Sequence, residues 1–132
     1  MKAKALHLAA DDPLVEVEMS LPLDEPARLV AATMLIDTGA EVTVMSAGLV
    51  ARIGAPVVRD TAVSGVTSDH PTFCPVHRVH LRLPLVGRTF DVDVAALTRG
   101  DDACDGLIGR DLLAHLRFTY DGPDGACTLE PG

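Results

Sequence analysis

The sequence predicts an all-β domain with two short helices. Most segments alternate apolar with polar residues, or stay apolar for a few positions, between Gly, Pro and Asp. Apolar residues make up 48% of the chain but aromatic residues only 3%, so the predicted core is aliphatic. Short strands separated by turn residues are typical of a small barrel or sandwich. A length of 132 residues suits one hydrophobic core, so residues 1–132 are predicted to form a single domain.

Three strands are predicted in the first third of the chain, at residues 13–23, 27–36 and 41–46. In the first, Glu16 and Glu18 alternate with apolar residues, which is typical of a strand with one solvated face. The second is apolar almost throughout, which indicates a largely buried strand. Both strands are therefore expected to pack against a common core.

The remaining elements are two short helices and further strands. Ser46 is the expected N-cap of the first helix, and Gly54 is its expected C-terminal end. The second helix is predicted over residues 110–116, about two turns, because its apolar residues recur at helical spacing. Further strands are predicted at 55–66, on both sides of a turn at 84–88, and in a hairpin with its turn at 121–125.

Charge and composition exclude several classes of partner. The chain has 11 basic and 19 acidic residues, a formal charge of −8, and such a chain repels phosphate backbones and anionic lipids. Neither a nucleic-acid partner nor a membrane partner is expected. No secretory leader is apparent, and no window reaches the roughly 18 apolar residues of a transmembrane helix. The 3 cysteines have no repeated spacing, which indicates a reduced, cytoplasmic protein.

The strongest functional signal is Asp37-Thr38-Gly39, directly after the apolar strand. A carboxylate at the end of a buried strand costs free energy unless a partner or a reaction uses it. Two carboxylates about 3 Å apart cannot both ionise and therefore share one proton. One then activates water while the other polarises a carbonyl. Gly39 permits a sharp turn, and the Thr38 hydroxyl can hold the loop by a hydrogen bond.

Residues 35–40 and 107–113 together resemble the retropepsins, the retroviral-type aspartic proteases. The first stretch, Leu-Ile-Asp-Thr-Gly-Ala, resembles their Asp-Thr-Gly motif with its apolar lead. The second, Leu-Ile-Gly-Arg-Asp-Leu-Leu, follows about seventy residues later and resembles their apolar-apolar-Gly-Arg-Asn/Asp signature. The resemblance covers residues 13–116 and implies a retropepsin-like acid protease barrel with one lobe per chain. In that family the Ile-Gly strand passes under the active-site loop, and the following helix supports the loop.

One Asp-Thr-Gly per chain supplies half of a carboxylate pair. The sequence therefore predicts a two-fold symmetric homodimer in which Asp37 of each chain faces its mate. The resemblance implies an aspartic endopeptidase acting on a protein or peptide substrate, without a metal or another cofactor. The alternative keeps the fold without the activity, as a catalytically silent module for peptide binding or dimerisation.

The resemblance also implies roles for individual residues. Thr38 is expected to lock the two active-site loops across the dimer. Structural support is expected from Gly109 and from Arg110 paired with Glu41. Residues 64–74 are expected to form the flap, the hairpin that closes over substrate. The residues implied to contact substrate are Met34, Ala40, Val44, Gly65, Val66, Thr67 and Leu107.

Two further interpretations compete with this one. Cys74, His77 and His80 have a spacing that suggests a metal site, and a metal-dependent hydrolase is the competing class of enzyme. If the segment is a strand, however, His77 and His80 point to opposite faces, so ordinary strand residues are favoured. The other interpretation is that Asp37 to Gly39 form a simple turn, because Asp and Gly favour turns.

Overall fold

The computed structural model describes residues 5–6, 13–21, 29–63, 72–98 and 104–132. Its elements are β1 Ala5–Leu6, β2 Leu14–Ser20, β3 Val30–Ile36, β4 Val44–Ser46, α1 Ala47–Ile53, β5 Val57–Val63, β6 Thr72–Leu83, β7 Arg88–Leu97, β8 Gly106–Ile108, α2 Arg110–Leu113, β9 Leu116–Asp121 and β10 Ala126–Pro131. The predicted all-β class with two short helices is therefore confirmed. Within the described ranges, neither helix has the length and apolar character needed to cross a membrane.

Strands β2 to β4 and β6 to β8 close into a six-stranded mixed barrel. Their order is β2-β3-β8-β4-β7-β6, and pairing of β6 with β2 completes the ring. Strand β5 pairs with β6 and extends the sheet beyond the ring. Strand β8 is parallel to β3 and antiparallel to β4. The Leu-Ile-Gly segment therefore lies between the two strands that flank Asp37.

The barrel encloses an aliphatic core, as the composition predicted. Its largest fully buried side chains include Met19, Met34, Met45, Leu81, Leu83 and Ile108. Helix α1 covers one end with Leu49, Val50 and Ile53. Its predicted caps are confirmed, since the Ser46 side chain accepts the Leu49 N–H and Gly54 has φ 75°. That left-handed conformation favours glycine and ends the helix.

Strand β8 fits between its neighbours because Gly106 has no side chain. A Cβ at this position would collide with the backbone carbonyl of Val44 and would lie 2.9 Å from Cε of Met34. The first of these is backbone and cannot move aside without disturbing the pairing of β4 with β8. Glycine at this position is thus what allows the second motif to lie beside the first.

The second helix ends earlier than the sequence predicted. Helix α2 is a single turn, and Leu116 already belongs to β9, where it lies opposite Pro131. The helical spacing of 110–116 misassigned Leu116, whose apolar character serves the hairpin that follows. That hairpin, β9 and β10 with a turn at residues 122–125, is confirmed. With β1 on the other edge of β10, it forms a separate three-stranded sheet.

A cluster of three charged side chains joins β5, β6 and β7 on the outside of the barrel. Asp93 Oδ2 accepts a hydrogen bond from Arg59 Nη1 at 2.7 Å, and Asp93 Oδ1 accepts one from Arg78 Nε at 2.9 Å. The hydrogen bond from Arg78 is the main reason that the pKa of Asp93 lies below its ordinary value. The same contact raises the pKa of Arg78. The ionised carboxylate is therefore favoured in the folded chain.

Replacing Asp93 by Asn is expected to lower the free energy of unfolding by about 1 kcal/mol at neutral pH, since both arginines are about half exposed. Because the pKa of Asp93 is lowered on folding, its contribution to stability is fully present when the pH is above the ordinary pKa of an aspartate. The contribution is lost as the pH falls through the lowered pKa of Asp93 in the folded chain. Urea unfolding of both proteins from neutral to acidic pH measures it. Asp60→Asn is the control, an exposed carboxylate without an ion pair among the described residues. If the difference in unfolding free energy between the wild type and Asp93→Asn grew at acidic pH, the role assigned to the ionised Asp93 would be wrong.

Candidate active site

Asp37 lies in a tight turn at the end of β3. Its N–H donates to the carbonyl of Ile108 in β8 at 3.0 Å, and its own carbonyl accepts the Ala40 N–H at 3.1 Å. The side chain is partly exposed, and Oδ1 accepts the Gly39 N–H at 2.9 Å. A Cβ on Gly39 would lie 3.2 Å from that oxygen, a closer approach than most side chains tolerate. The turn therefore holds the carboxylate in a defined position with access to solvent.

The second motif, residues 107–113, supports this turn through hydrogen bonds from Arg110. The Arg110 N–H donates to the carbonyl of Ala40 at 2.8 Å, and its Nη1 donates to the carbonyl of Thr38 at 3.0 Å. Gly109 lies so close to the loop that a Cβ there would be 2.5 Å from the carbonyl carbon of Val42. The two stretches that the sequence analysis paired are therefore in direct contact.

The predicted ion pair between Arg110 and Glu41 is wrong for this structure. The guanidinium group instead donates to the backbone carbonyl of Thr38. Glu41 is exposed, and within the described residues it belongs to none of the ion pairs. The arginine satisfies a carbonyl of the turn, while the glutamate stays in water and avoids the cost of desolvation. Arg110 is thus a support of the loop through a different partner.

Asp111 and Thr43 form a brace that the sequence analysis did not assign. Asp111 Oδ1 accepts the Thr43 hydroxyl at 2.7 Å, and Oδ2 accepts the Thr43 N–H at 3.1 Å. The same hydroxyl oxygen accepts the Gly109 N–H at 3.2 Å, and Asp111 Oδ1 also accepts the Leu112 N–H. Thr43 has no exposed surface. The signal for this brace in the sequence is the acidic last residue of the Gly-Arg-Asn/Asp signature, Asp111.

An apolar surface lies beside the carboxylate turn. Leu107 is opposite Leu35 in the parallel pair with β3 and opposite Val44 in the antiparallel pair with β4. Val44 also packs in a small apolar cluster with Cys74 and Ala95, which Leu107 joins from the edge. Val44 and Leu107 therefore lie together, but Val44 is only 4% exposed, so of these two predicted substrate contacts Leu107 provides the accessible surface.

Met34 is not part of this surface, contrary to the sequence-based expectation. Its side chain has no exposed area and packs in the barrel core. Side chains alternate along β3, so Met34 and Ile36 face the core while Leu35 faces the other side with Leu107. Leu35 replaces Met34 as the candidate contact. Ala40 is partly exposed in the turn itself.

The predicted flap residues Gly65, Val66 and Thr67 lie outside the described residues. The stem of that hairpin is described, with Thr61 of β5 opposite Cys74 of β6. Burial, and to a lesser extent Asp60, raises the pKa of the Cys74 thiol, so it remains a small neutral side chain. The stem therefore brings β6 against the apolar cluster that contains Val44.

The two histidines proposed as alternative metal ligands face opposite sides of β6, as predicted. The His77 ring Nδ1 lies 2.7 Å from the carbonyl of Ala55, and His80 Nδ1 lies 2.8 Å from Asp91 Oδ1. In the ranges that the structure describes, no cluster of three metal-ligating side chains occurs. Both histidines join neighbouring segments of the barrel.

A protein-family model described as "gag-polyprotein putative aspartyl protease" matches residues 30–115, which include both motifs. The chain belongs to this family. The fold of this aspartyl protease family member is similar to that of the EIAV protease in complex with an inhibitor, at 19% identity over 78% of this chain and 86% of the other, with a TM-score of 0.52. It is also similar to a retropepsin-like aspartic protease from Rickettsia conorii, at 13% identity over 90% and 93%, with a TM-score of 0.55. No curated protein matches the chain. The predicted retropepsin-like fold is confirmed.

Proposed function

We propose that this aspartyl protease family member is an endopeptidase that acts as a homodimer. The observation that carries the proposal is the Asp37 turn, held by Ile108 of β8 and supported by Arg110, with a partly exposed carboxylate. One chain contributes one such carboxylate. A second copy related by a two-fold axis supplies the other, so that two Asp37 side chains face the same water.

The chemistry follows from two carboxyl groups that share one proton. The ionised Asp37 takes a proton from water as the water oxygen attacks the peptide carbonyl carbon. The protonated Asp37 of the second copy donates its proton to the carbonyl oxygen, which gives a tetrahedral diol. When the C–N bond breaks, the first Asp37 gives the nitrogen the proton that it took from water, and a hydroxyl of the diol returns its proton to the second Asp37. The products are a carboxylic acid and an amine, and the pair is ready for another cycle.

The substrate class follows from the surface beside the turn. Leu35 and Leu107 are partly exposed on one apolar side of it, with the buried Val44 packed against Leu107, so we expect apolar side chains next to the scissile bond. The backbone of Gly39 and Ala40 is proposed to hydrogen-bond an extended peptide through their carbonyl groups, because the turn already engages both N–H groups. Thr38 is exposed at the tip of the turn, where it is proposed to contact its counterpart in the second copy.

The test is cleavage of a proteome-derived peptide library at several acidic to neutral pH values, read by mass spectrometry. We expect cuts between apolar residues. These cuts should disappear when a peptide with a hydroxyl in place of the scissile carbonyl is added, because it mimics the tetrahedral intermediate. A dimer that binds such peptides but yields no products at any pH would instead support the silent peptide-binding module. Loss of cleavage with a chelator would support a metal-dependent hydrolase.

Cleavage is expected to weaken as the pH rises. Once both carboxyl groups of the pair are ionised, no proton remains for the carbonyl oxygen, and the pair titrates as a unit. The measurement is kcat/KM on one peptide across the pH range, with circular dichroism at each pH to show that the fold persists. A rate that keeps rising above neutral pH would contradict the shared-proton mechanism.

A further inference from the structure

A cleft of about 590 Å³ lies on the outside of the barrel, between strands β5 to β7 and helix α2. Arg59, Arg78 and Asp93 form its strand side. Val42, which lies between the carboxylate turn and β4, lines another part of the cleft. The same valine packs against the apolar cluster beside that turn. The cleft is therefore continuous with the apolar surface of the candidate active site.

A single row of residues across the strands connects Arg59 to that apolar surface. Arg59 lies opposite Val76 in the β5–β6 pair, and Val76 lies opposite Ala95 in the β6–β7 pair. Ala95 lies opposite Val44, which in turn lies opposite Leu107 of β8. Residues directly opposite one another project from the same face of a sheet. The arginine and the leucine beside the carboxylate turn therefore share one continuous face.

The length of this row limits the distance between the cleft and the scissile bond. Four strand spacings of about 4.8 Å separate Arg59 from Leu107, which is roughly 19 Å along the sheet. An extended peptide advances about 3.3 Å per residue, so this path corresponds to at most about six residues. The curvature of the barrel and the length of the arginine side chain shorten the path. A peptide bound beside Leu107 can therefore reach Arg59 within a few residues.

The hydrogen-bonding groups that remain available in the cleft are mainly donors. Both oxygens of Asp93 already accept hydrogen bonds, from Arg59 and from Arg78. Asp111 on the facing wall accepts three hydrogen bonds, two of them from Thr43. Among the described residues, Arg59 donates one side-chain hydrogen bond, from Nη1 to Asp93. Its Nε and Nη2 form a second edge that matches the two oxygens of a carboxylate.

The charge of the cluster also favours an acidic ligand. Two guanidinium groups and one carboxylate give Arg59, Arg78 and Asp93 a net positive charge. The arginine side chains are 54% and 53% exposed and the aspartate 24%, so a ligand meets the arginines first. Asp91 lies two residues beyond Asp93 on β7, in contact with His80, and is not part of this site. The cluster is therefore suited to a carboxylate.

We propose that this cleft is a specificity site that binds an acidic side chain of the peptide substrate through Arg59. The inference rests on the proposed function, because the cleft receives the same substrate, and it adds a charged position to the apolar ones beside the scissile bond. Asp93 orients the guanidinium group of Arg59, and Arg78 holds Asp93 in turn. In a two-fold dimer one such cleft serves each end of the bound peptide. Glutamate or aspartate is thus favoured about three to six residues from the scissile bond on either side.

The first experiment compares matched peptides. A peptide with an apolar scissile pair is prepared with Glu or Gln at each position from the third to the sixth on either side of the scissile bond. We expect kcat/KM to be about fivefold higher for Glu than for Gln at one or more of these positions, because an ion pair at a half-exposed arginine has a modest effect. Equal cleavage of the Glu and Gln peptides at every position would overturn the site, and so would a preference for Lys there.

Variants on the two sides of one ion pair test whether Arg59 binds the acidic side chain. Arg59→Gln is expected to abolish the preference for Glu over Gln, while Arg59→Lys should keep part of it, since the charge remains without the second donor edge. Asp93→Asn is expected to raise the preference about twofold, because it removes the carboxylate that competes for the guanidinium group. A purely structural ion pair predicts the same effect for Arg59→Gln and Asp93→Asn, since both break one contact. Equal shifts in these two variants would overturn the assignment.

Arg82→Gln is the matched control. Arg82 lies on the same face of β6 as Arg78, is about half exposed and forms an ion pair with Glu18, but it does not line the cleft. We expect the ratio of kcat/KM for the Glu and Gln peptides to equal that of the wild type. The same loss of preference in Arg82→Gln as in Arg59→Gln would mean that net charge, and not the cleft, selects the peptide.

Binding of uncleavable peptides separates this site from the proposed function. The probes are the same Glu and Gln peptides with a hydroxyl in place of the scissile carbonyl, and isothermal titration calorimetry measures their Kd. A chain that cleaves peptides without a preference for Glu overturns the site alone. A chain that binds the Glu probe more tightly but cleaves nothing supports the site and overturns the protease. A chain that neither binds nor cleaves these peptides overturns both.

Discussion

Replacing Asp37 by Asn is expected to reduce peptide cleavage by roughly 10³-fold or more, while the dimer persists. The amide is nearly isosteric with the carboxyl group, and its oxygen can still accept the Gly39 N–H that fixes the side chain. It can neither take a proton from water nor hold the shared proton. The turn should therefore keep its shape while the chemistry is lost.

The measurement is kcat/KM of the wild type and Asp37→Asn on one peptide identified from the library. Sedimentation equilibrium of both proteins measures whether the dimer persists. Asp91→Asn is the matched control, because it changes an exposed carboxyl group on the outside of the barrel. We expect its activity to equal that of the wild type. Full activity in Asp37→Asn would place the reaction elsewhere, and loss of its dimer would mean that Asp37 also stabilises the interface.

Replacing Asp111 by Ala is expected to lower the free energy of unfolding by roughly 3 kcal/mol and to weaken cleavage as well. Its carboxylate accepts the N–H and the hydroxyl of Thr43 and the N–H of Leu112. Thr43 is fully buried, so water cannot easily replace the missing acceptor. The segment between the Asp37 turn and β4 would lose its main side-chain support.

Urea unfolding measures the loss of stability, and kcat/KM well below the midpoint of thermal unfolding measures the effect on the site. Asp111→Asn is the graded control, because it keeps one acceptor oxygen for the Thr43 hydroxyl but cannot accept the Thr43 N–H as well. We expect it to fall between the wild type and Asp111→Ala in both measurements. Equal stability of all three proteins would show that the brace contributes nothing.

Much of the local structure could be predicted because it depends on short-range rules. The Ser46 and Gly54 caps bounded α1, and turn residues identified the C-terminal hairpin. Helix α2 was predicted too long because Leu116 has the spacing of a helix but the partner of a strand. The spacing of apolar residues cannot distinguish the helix from the strand, because Leu116 would be shielded from water in either one.

The Asp-Thr-Gly tripeptide, the supporting Gly-Arg-Asp segment and the aliphatic all-β character were determined by the sequence alone, because each rests on residue types at fixed local spacing. The tertiary structure decided what those residues touch. Closure of the barrel through β2 and β6 joins segments about sixty residues apart. The orientation of β3 decides that Leu35, and not Met34, shares a face with Leu107. The approach of α2 decides that Arg110 meets a backbone carbonyl and that Asp111 meets Thr43. Such partners depend on strand order and long-range register, which local sequence patterns do not encode.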